Sequence, residues 1–189
     1  MYIDETVYTA RPTERRTDAE ETIYDKLDEL SISYLRLDHD HADTMEDCRL
    51  IEEKLGARIC KNLFLCNRQQ TQFYLLMMHG EKPFKTKFLS AQLGCARLSF
   101  ADGEHMAEYL HTTPGSVSAL ELIFDTEHHI QLVMDKPLTQ NEYISAHPGL
   151  SGSTLRLRRE DLLRYVQASG HDPIVVDLPV EDETPSLNN

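Results

Sequence analysis

Residues 59–66 read ICKNLFLC and residues 72–79 read QFYLLMMH, with the polar turn NRQQT between them. Both runs are apolar on both faces, the pattern of central strands covered on each side. Period-two geometry predicts that Lys61 shares a face with Leu63 and Leu65 while Cys60 points the other way. A lysine inside such a run is either a strand-edge cation that snorkels to water or one aimed into a pocket to meet a phosphate or carboxylate.

Outward from this hairpin, helices and strands interleave. Thr17 opens a helix with Glu20 completing a capping box and Ile23, Leu27 and Leu30 as its stripe. A strand is predicted at 34–37, and a second helix runs from Thr44, through Cys48, Ile51 and Leu55, to Gly56. Helices follow at 86–93, ended by Gly94, and at 103–110, with Met106, Tyr109 and Leu110 inward. Strands are expected at 120–124 and 130–134, joined by DTEHH, and at 154–158. Glu160 and Asp161 start a last helix that buries Leu162, Leu163 and Val166 and stops at Gly170; Ile174–Val176 ends the core as a strand. The fold class is therefore α/β, with a mixed central sheet surrounded by helices.

The chain of 189 residues fits one domain over 17–178, preceded by a loosely held arm (1–16) and followed by an acidic, frayed tail (179–189). No apolar run reaches the length of a membrane span, and the polar N-terminus is no signal peptide, so the cytoplasm is expected. A net charge of −13 argues against a broad nucleic-acid groove but leaves room for a pocket that takes one end of an RNA. Basic residues do cluster at Lys82, Lys85 and Lys87 and at Arg156, Arg158, Arg159 and Arg164. The four cysteines form no CxxC pair and read as free thiols; His39, His41 and Cys48 lie close in sequence, but at no common zinc spacing. No metal or other cofactor is expected.

Two loops add to Lys61. TTPGSVSALEL (112–122) carries a Pro114-Gly115 turn whose backbone N–H groups, from Gly115 to Ser118, can hold a developing oxyanion. SAHPGLSGSTLRL (145–157) places His147 before a proline, which fixes an extended backbone, and leads through small residues to Thr154.

CKNLFL (60–65), ARLSFAD (96–102) with Ser99 and Phe100, TPGSVS (113–118), and HPG followed by Thr154 together resemble the YbaK/prolyl-tRNA synthetase-associated editing domain family. The free-standing prolyl-tRNA editing branch is the nearer match, and the likeness runs from Asp18 to Asp177. The resemblance implies a largely antiparallel, partly barrel-like sheet. It also implies hydrolysis of the ester between tRNA for proline and a wrong amino acid, typically alanine in that branch. Lys61 would hold the phosphate or ribose of the terminal adenosine. Gly115, Ser116, Val117, Ser118 and Ala119 would grip the aminoacyl group, with His147 lining the pocket and Ser99, Phe100, Gly149 and Thr154 around it. The family is held to use the tRNA's own 2′-hydroxyl and a positioned water, without a side-chain nucleophile or metal. The implied partners are tRNA, met at its 3′ aminoacyl end and acceptor stem, and prolyl-tRNA synthetase.

Two departures from the family pattern stand out. The loop usually continues as GSVSPFGL, whereas here Ala119, Leu120 and Glu121 follow Ser118; HPN is usual where this chain has Gly149. The first frees the backbone and the second removes a side-chain amide. These departures motivate one alternative, a non-catalytic binding module of the same fold. A second alternative makes Cys60 a nucleophile activated by Lys61.

Overall fold

A computed structural model describes residues 1–42 and 44–180. Its elements, in chain order, are α1 (Asp18–Glu29), β1 (Tyr34–Asp38), α2 (Met45–Leu55), β2 (Cys60–Asn67), β3 (Phe73–His79), α3 (Thr86–Leu93), β4 (Leu98–Phe100) and α4 (Gly103–Leu110). A 3-10 helix, Ala119–Phe124, then precedes β5 (Ile130–Asp135), and a shorter one, Lys136–Gln140, precedes β6 (Tyr143–Ala146). β7 (Ser153–Arg158), α5 (Arg159–Ala168) and β8 (Ile174–Val176) complete the chain.

The hairpin read from the sequence is the centre of a five-stranded sheet ordered β4-β2-β3-β5-β8. β2 pairs antiparallel with β3, setting Lys61 opposite Met78, while β3, β5 and β8 run parallel. A second sheet, β1-β7-β6, is antiparallel throughout, with Leu37 opposite Thr154. Antiparallel pairings therefore predominate across the molecule, as expected. Neither sheet closes, so the partial barrel that the resemblance implied is absent: β4 and β8 remain edges of the larger sheet.

The continuous apolar run of β3 is explained by cover on both faces. Phe73, Leu75 and Met77 join Cys60 and Phe64 in the main core, with Ile23 and Leu27 of α1, Leu155 and Leu157 of β7, and Leu162 and Val166 of α5. Leu76 and Met78 face the other way, onto Leu89 of α3 and Val133 of β5. Truncating one such buried leucine to alanine costs about 2–5 kcal/mol. A third cluster, Leu37 with Ile51 and Leu55, docks α2 on β1.

Local signals held at the helix ends: Thr17 caps α1, Thr44 caps α2, and Gly56 and Gly94 close α2 and α3 in the left-handed region at φ 66° and 63°. The strand expected at 120–124 is instead the 3-10 helix. The Ser118 hydroxyl accepts from Leu120 N at 3.2 Å, and the Glu121 carboxyl turns back to Ser118 N, a capping box that overrides the apolar run. Residues 1–16, expected as a loosely held arm, lie alongside β1: Tyr8 and Arg36 exchange two backbone hydrogen bonds of 2.8 Å, and Asp4 N donates to Asp38 O at 2.9 Å. From residue 181 onward, the expected acidic tail lies outside the described residues. Among the described residues, no helix is long and apolar enough to cross a membrane.

Candidate active site

β4 pairs only with Leu65–Asn67 of β2, so the edge of β2 from Cys60 to Leu63 has no strand beside it. A cleft of about 470 Å³ opens there. β2 supplies Lys61 and Asn62 to one wall; Gly115 and Val117 come from the loop after α4, His147 and Ser151 from the β6–β7 connection, and Thr154 from the start of β7. Phe100 and Met106 border it, and His41 arrives from the segment after β1. The cleft thus unites Lys61, Gly115, Val117, His147, Thr154 and Phe100 from four separate stretches of chain. It does not gather all the residues singled out in the sequence. Ser116, Ser118, Ala119 and Gly149 are buried behind its wall, and Ser99, paired with Cys66, faces solvent away from it.

Lys61 is half-buried, and its ammonium donates to the main-chain carbonyl of Lys82. Burial alone lowers its pKa; no charged neighbour contributes. It also borders an adjoining cavity of about 490 Å³ that includes Arg49, Arg58 and His79. Lys82 itself is fixed by a buried pair with Asp135 at 2.6 Å and by the carbonyl of Leu178 at 2.6 Å. Beside Lys61, the side-chain oxygen of Asn62 is buried with no protein hydrogen-bond partner, which costs about 1–3 kcal/mol unless another group supplies a donor. Sequence reasoning passed over Asn62 because an asparagine in a strand carries no signal of its own.

The 113–118 loop is a tight turn, with Ser116 N donating to Thr113 O at 3.1 Å. Gly115 sits at φ 89°, where a side chain would be strained, and a Cβ there would lie 3.5 Å from the His41 ring. The Ser118 hydroxyl donates to His147 O at 2.7 Å, and Ser118 N donates to Glu121. Ser116 and Ser118 therefore direct their N–H groups inward, while Gly115 and Val117 border the cleft.

His147 donates from Nδ1 to Ser153 O at 2.8 Å, leaving the lone pair on Nε2. Burial lowers its pKa against the opposing pull of the Ser153 carbonyl, and His39 and His41 lower it further, so the ring is neutral at neutral pH. His39 is buried and likewise lowered by burial. Its Nδ1 donates to Asp40 O at 2.7 Å, and its Nε2 accepts from the Thr154 hydroxyl at 2.8 Å. With both nitrogens engaged, His39 offers none to a metal, and no group of three or more His, Cys, Asp or Glu among the described residues is arranged to hold one. Two features weigh against Cys60 as the nucleophile, although it borders the cleft. Burial pushes its thiol up to about 11, and the strand pleat turns it away from Lys61.

One feature of the site was misread in the sequence. Glu121, taken as part of a strand, is fully buried behind the loop. Ser118 and Glu121 stand at capping-box spacing, the local signal that identifies the carboxyl's role.

The family model described as the aminoacyl-tRNA editing domain matches residues 39–165. The prolyl-tRNA editing protein ProX of Acetoanaerobium sticklandii is 32% identical over 161 residues, covering 85% of this chain and 98% of its own. The prolyl-tRNA synthetase associated domain-containing protein 1 of Danio rerio is 29% identical, covering 87% of this chain and 88% of its own. A solved structure described as a candidate trans-editing enzyme for prolyl-tRNA synthetase shares the fold, with a TM-score of 0.63 and 16% identity over 87% of this chain and 98% of that one.

Proposed function

As a member of the aminoacyl-tRNA editing domain family, this chain, we propose, hydrolyses the ester that joins a wrong amino acid, alanine above others, to tRNA for proline. The observation that carries the reading is the meeting of Lys61, the Gly115 turn and His147 in one cleft.

The chemistry asked of the protein is modest, because an aminoacyl ester is already activated. A water oxygen attacks the ester carbonyl carbon, the bond to the ribose oxygen breaks, and that oxygen takes up a proton. In this reading the N–H groups of Gly115 and Val117, two residues that border the cleft, hold the charge that develops on the carbonyl oxygen. Lys61 meets the phosphate or ribose of the terminal adenosine, exchanging the neutral Lys82 carbonyl for an anion. Phe100, 63% exposed at the rim, offers a stacking face to the adenine. The Nε2 lone pair of His147 accepts from the 2′-hydroxyl, which in turn orients the water. Asn62 gives its unpartnered oxygen to the substrate's ammonium group. The partner is therefore tRNA at its 3′ end, and the reaction needs no metal; prolyl-tRNA synthetase is the enzyme whose errors would be corrected.

A panel of misacylated tRNAs tests the proposal against wild type and Lys61→Ala. Release of alanine from tRNA for proline, lost in the variant, with prolyl-tRNA largely spared, is the expected result. Cleavage of prolyl-tRNA at a comparable rate would contradict the selectivity. Binding without any turnover would instead identify a non-catalytic module, the reading that the departures at 119–121 and 149 favour.

A further inference from the structure

The loops on either side of the cleft are joined by one buried carboxyl and two hydroxyls. Glu121 Oε2 accepts from Ser118 N at 2.5 Å, and Oε1 accepts from Gly149 N at 2.9 Å. The Ser118 hydroxyl closes the circuit onto His147 O at 2.7 Å, and Thr112 adds a bond to Gly149 O at 3.2 Å. Helix capping alone requires only the first of these contacts; the second reaches across 28 residues of sequence. Glu121 does not itself border the cleft.

We propose that Glu121 is the positioning residue of the site: its two oxygens set the separation between the Gly115–Val117 turn and His147, and so the width of the space that receives the amino acid. The proposal rests on the editing reading. Glu121 touches no substrate atom and acts through the backbone at Ser118 and Gly149. Its surroundings hold it in place: the Tyr165 hydroxyl of α5 donates to Leu120 O at 2.9 Å, and Glu20 of α1 packs under Gly149, where an added Cβ would meet its Cγ at 3.5 Å. Burial pushes the Glu121 carboxyl up to about 8, so glutamine is close to its neutral form in both shape and charge.

The test is Glu121→Gln, with Glu121→Ala as a second variant. The glutamine amide nitrogen cannot accept from an N–H, so one of the two bonds is lost while the fold is kept. Deacylation of Ala-tRNA(Pro) is expected to fall about 10- to 100-fold in kcat with KM little changed, and the preference over Pro-tRNA(Pro) to narrow. Amide hydrogen exchange at Ser118 and Gly149 is expected to quicken while that of β3 stays at its wild-type rate. If wild type hydrolyses and Glu121→Gln matches it in kcat and selectivity, the positioning role is overturned. If wild type does not hydrolyse any misacylated tRNA, the editing reading fails, and the exchange measurement still decides the strut: unaltered exchange at Ser118 and Gly149 overturns it.

Discussion

The hydroxyl of Thr154 donates to Nε2 of His39 across 2.8 Å, joining the start of β7 to the end of β1 at the floor of the cleft. Thr154→Val keeps the shape but leaves that nitrogen buried and unpaired. A loss of about 1–3 kcal/mol in unfolding free energy is expected by urea denaturation. A change within a few tenths of that scale would show that His39 finds another donor.

Lys61 should matter to turnover far more than to folding. It is half-buried, and its recorded bond is to a main-chain carbonyl. Lys61→Met is expected to keep the melting temperature within a few degrees and to lower kcat/KM about 100-fold or more. Cys60→Ser should leave kcat/KM near wild type, and alkylation of Cys60 in the folded protein should be slow, because its thiol stays protonated.

Phe100 offers a separation of binding from chemistry. Its ring is largely exposed, so Phe100→Ala should be nearly neutral for stability. Loss of a base-stacking face is worth about 1–3 kcal/mol, which is expected to raise KM roughly tenfold or more with kcat little changed. Phe100→Trp should restore the wild-type KM; a fall in kcat instead would place the ring nearer the reacting atoms.

Stability should vary with pH in a way that isolates Glu121. Its folded pKa of about 8 lies above the ordinary 4.5, so its contribution is complete below 4.5 and is lost as pH rises through 8. His39 and His147 are lowered from 6.5, so their contribution is present above 6.5 and is lost as pH falls below it. Asp125, where burial is outweighed by hydrogen bonds from His171 and His129, is lowered from 3.8 to about 2 and loses its contribution only in that acid range. Between pH 6.5 and 8, Glu121 is therefore the group among these that sets the slope. Unfolding free energy is expected to fall by up to roughly 2 kcal/mol across that interval. Glu121→Gln should flatten the curve, and an unchanged slope in the variant would assign the titration elsewhere.

What the sequence made legible follows from how local each signal is. The end of α3 was readable because Gly94 closes it, and α4 because Met106 and Leu110 recur at helical spacing and both prove buried. Lys61 stood out because a cation in an apolar strand breaks a pattern visible over eight residues. β6, four residues long, offered too short an alternation to register. The stretch 119–124 failed for a different reason, since two kinds of local signal competed and side-chain capping won over apolar content. In the site itself, the motif TPGSVS located the turn but not its inside and outside. Ser116 and Ser118 prove to be braces of the wall, and Val117 between them faces the cleft. His41 and Ser151 come together through a 2.8 Å hydrogen bond across 110 residues, created by the pairing of β1 with β7, and no reading along the chain could reveal it.

The segment from Ile3 to Tyr8 runs beside β1 and occupies backbone groups that the small sheet would otherwise present to solvent. An open strand edge is a template for a second molecule. The arm therefore bears on colloidal behaviour more than on folding. A chain shortened past Tyr8 keeps its two larger cores, loses Ile3 and Val7 from the small cluster around Leu37, and displays an adhesive border along β1. Its failure would be seen as concentration-dependent self-association, with catalysis intact in dilute solution.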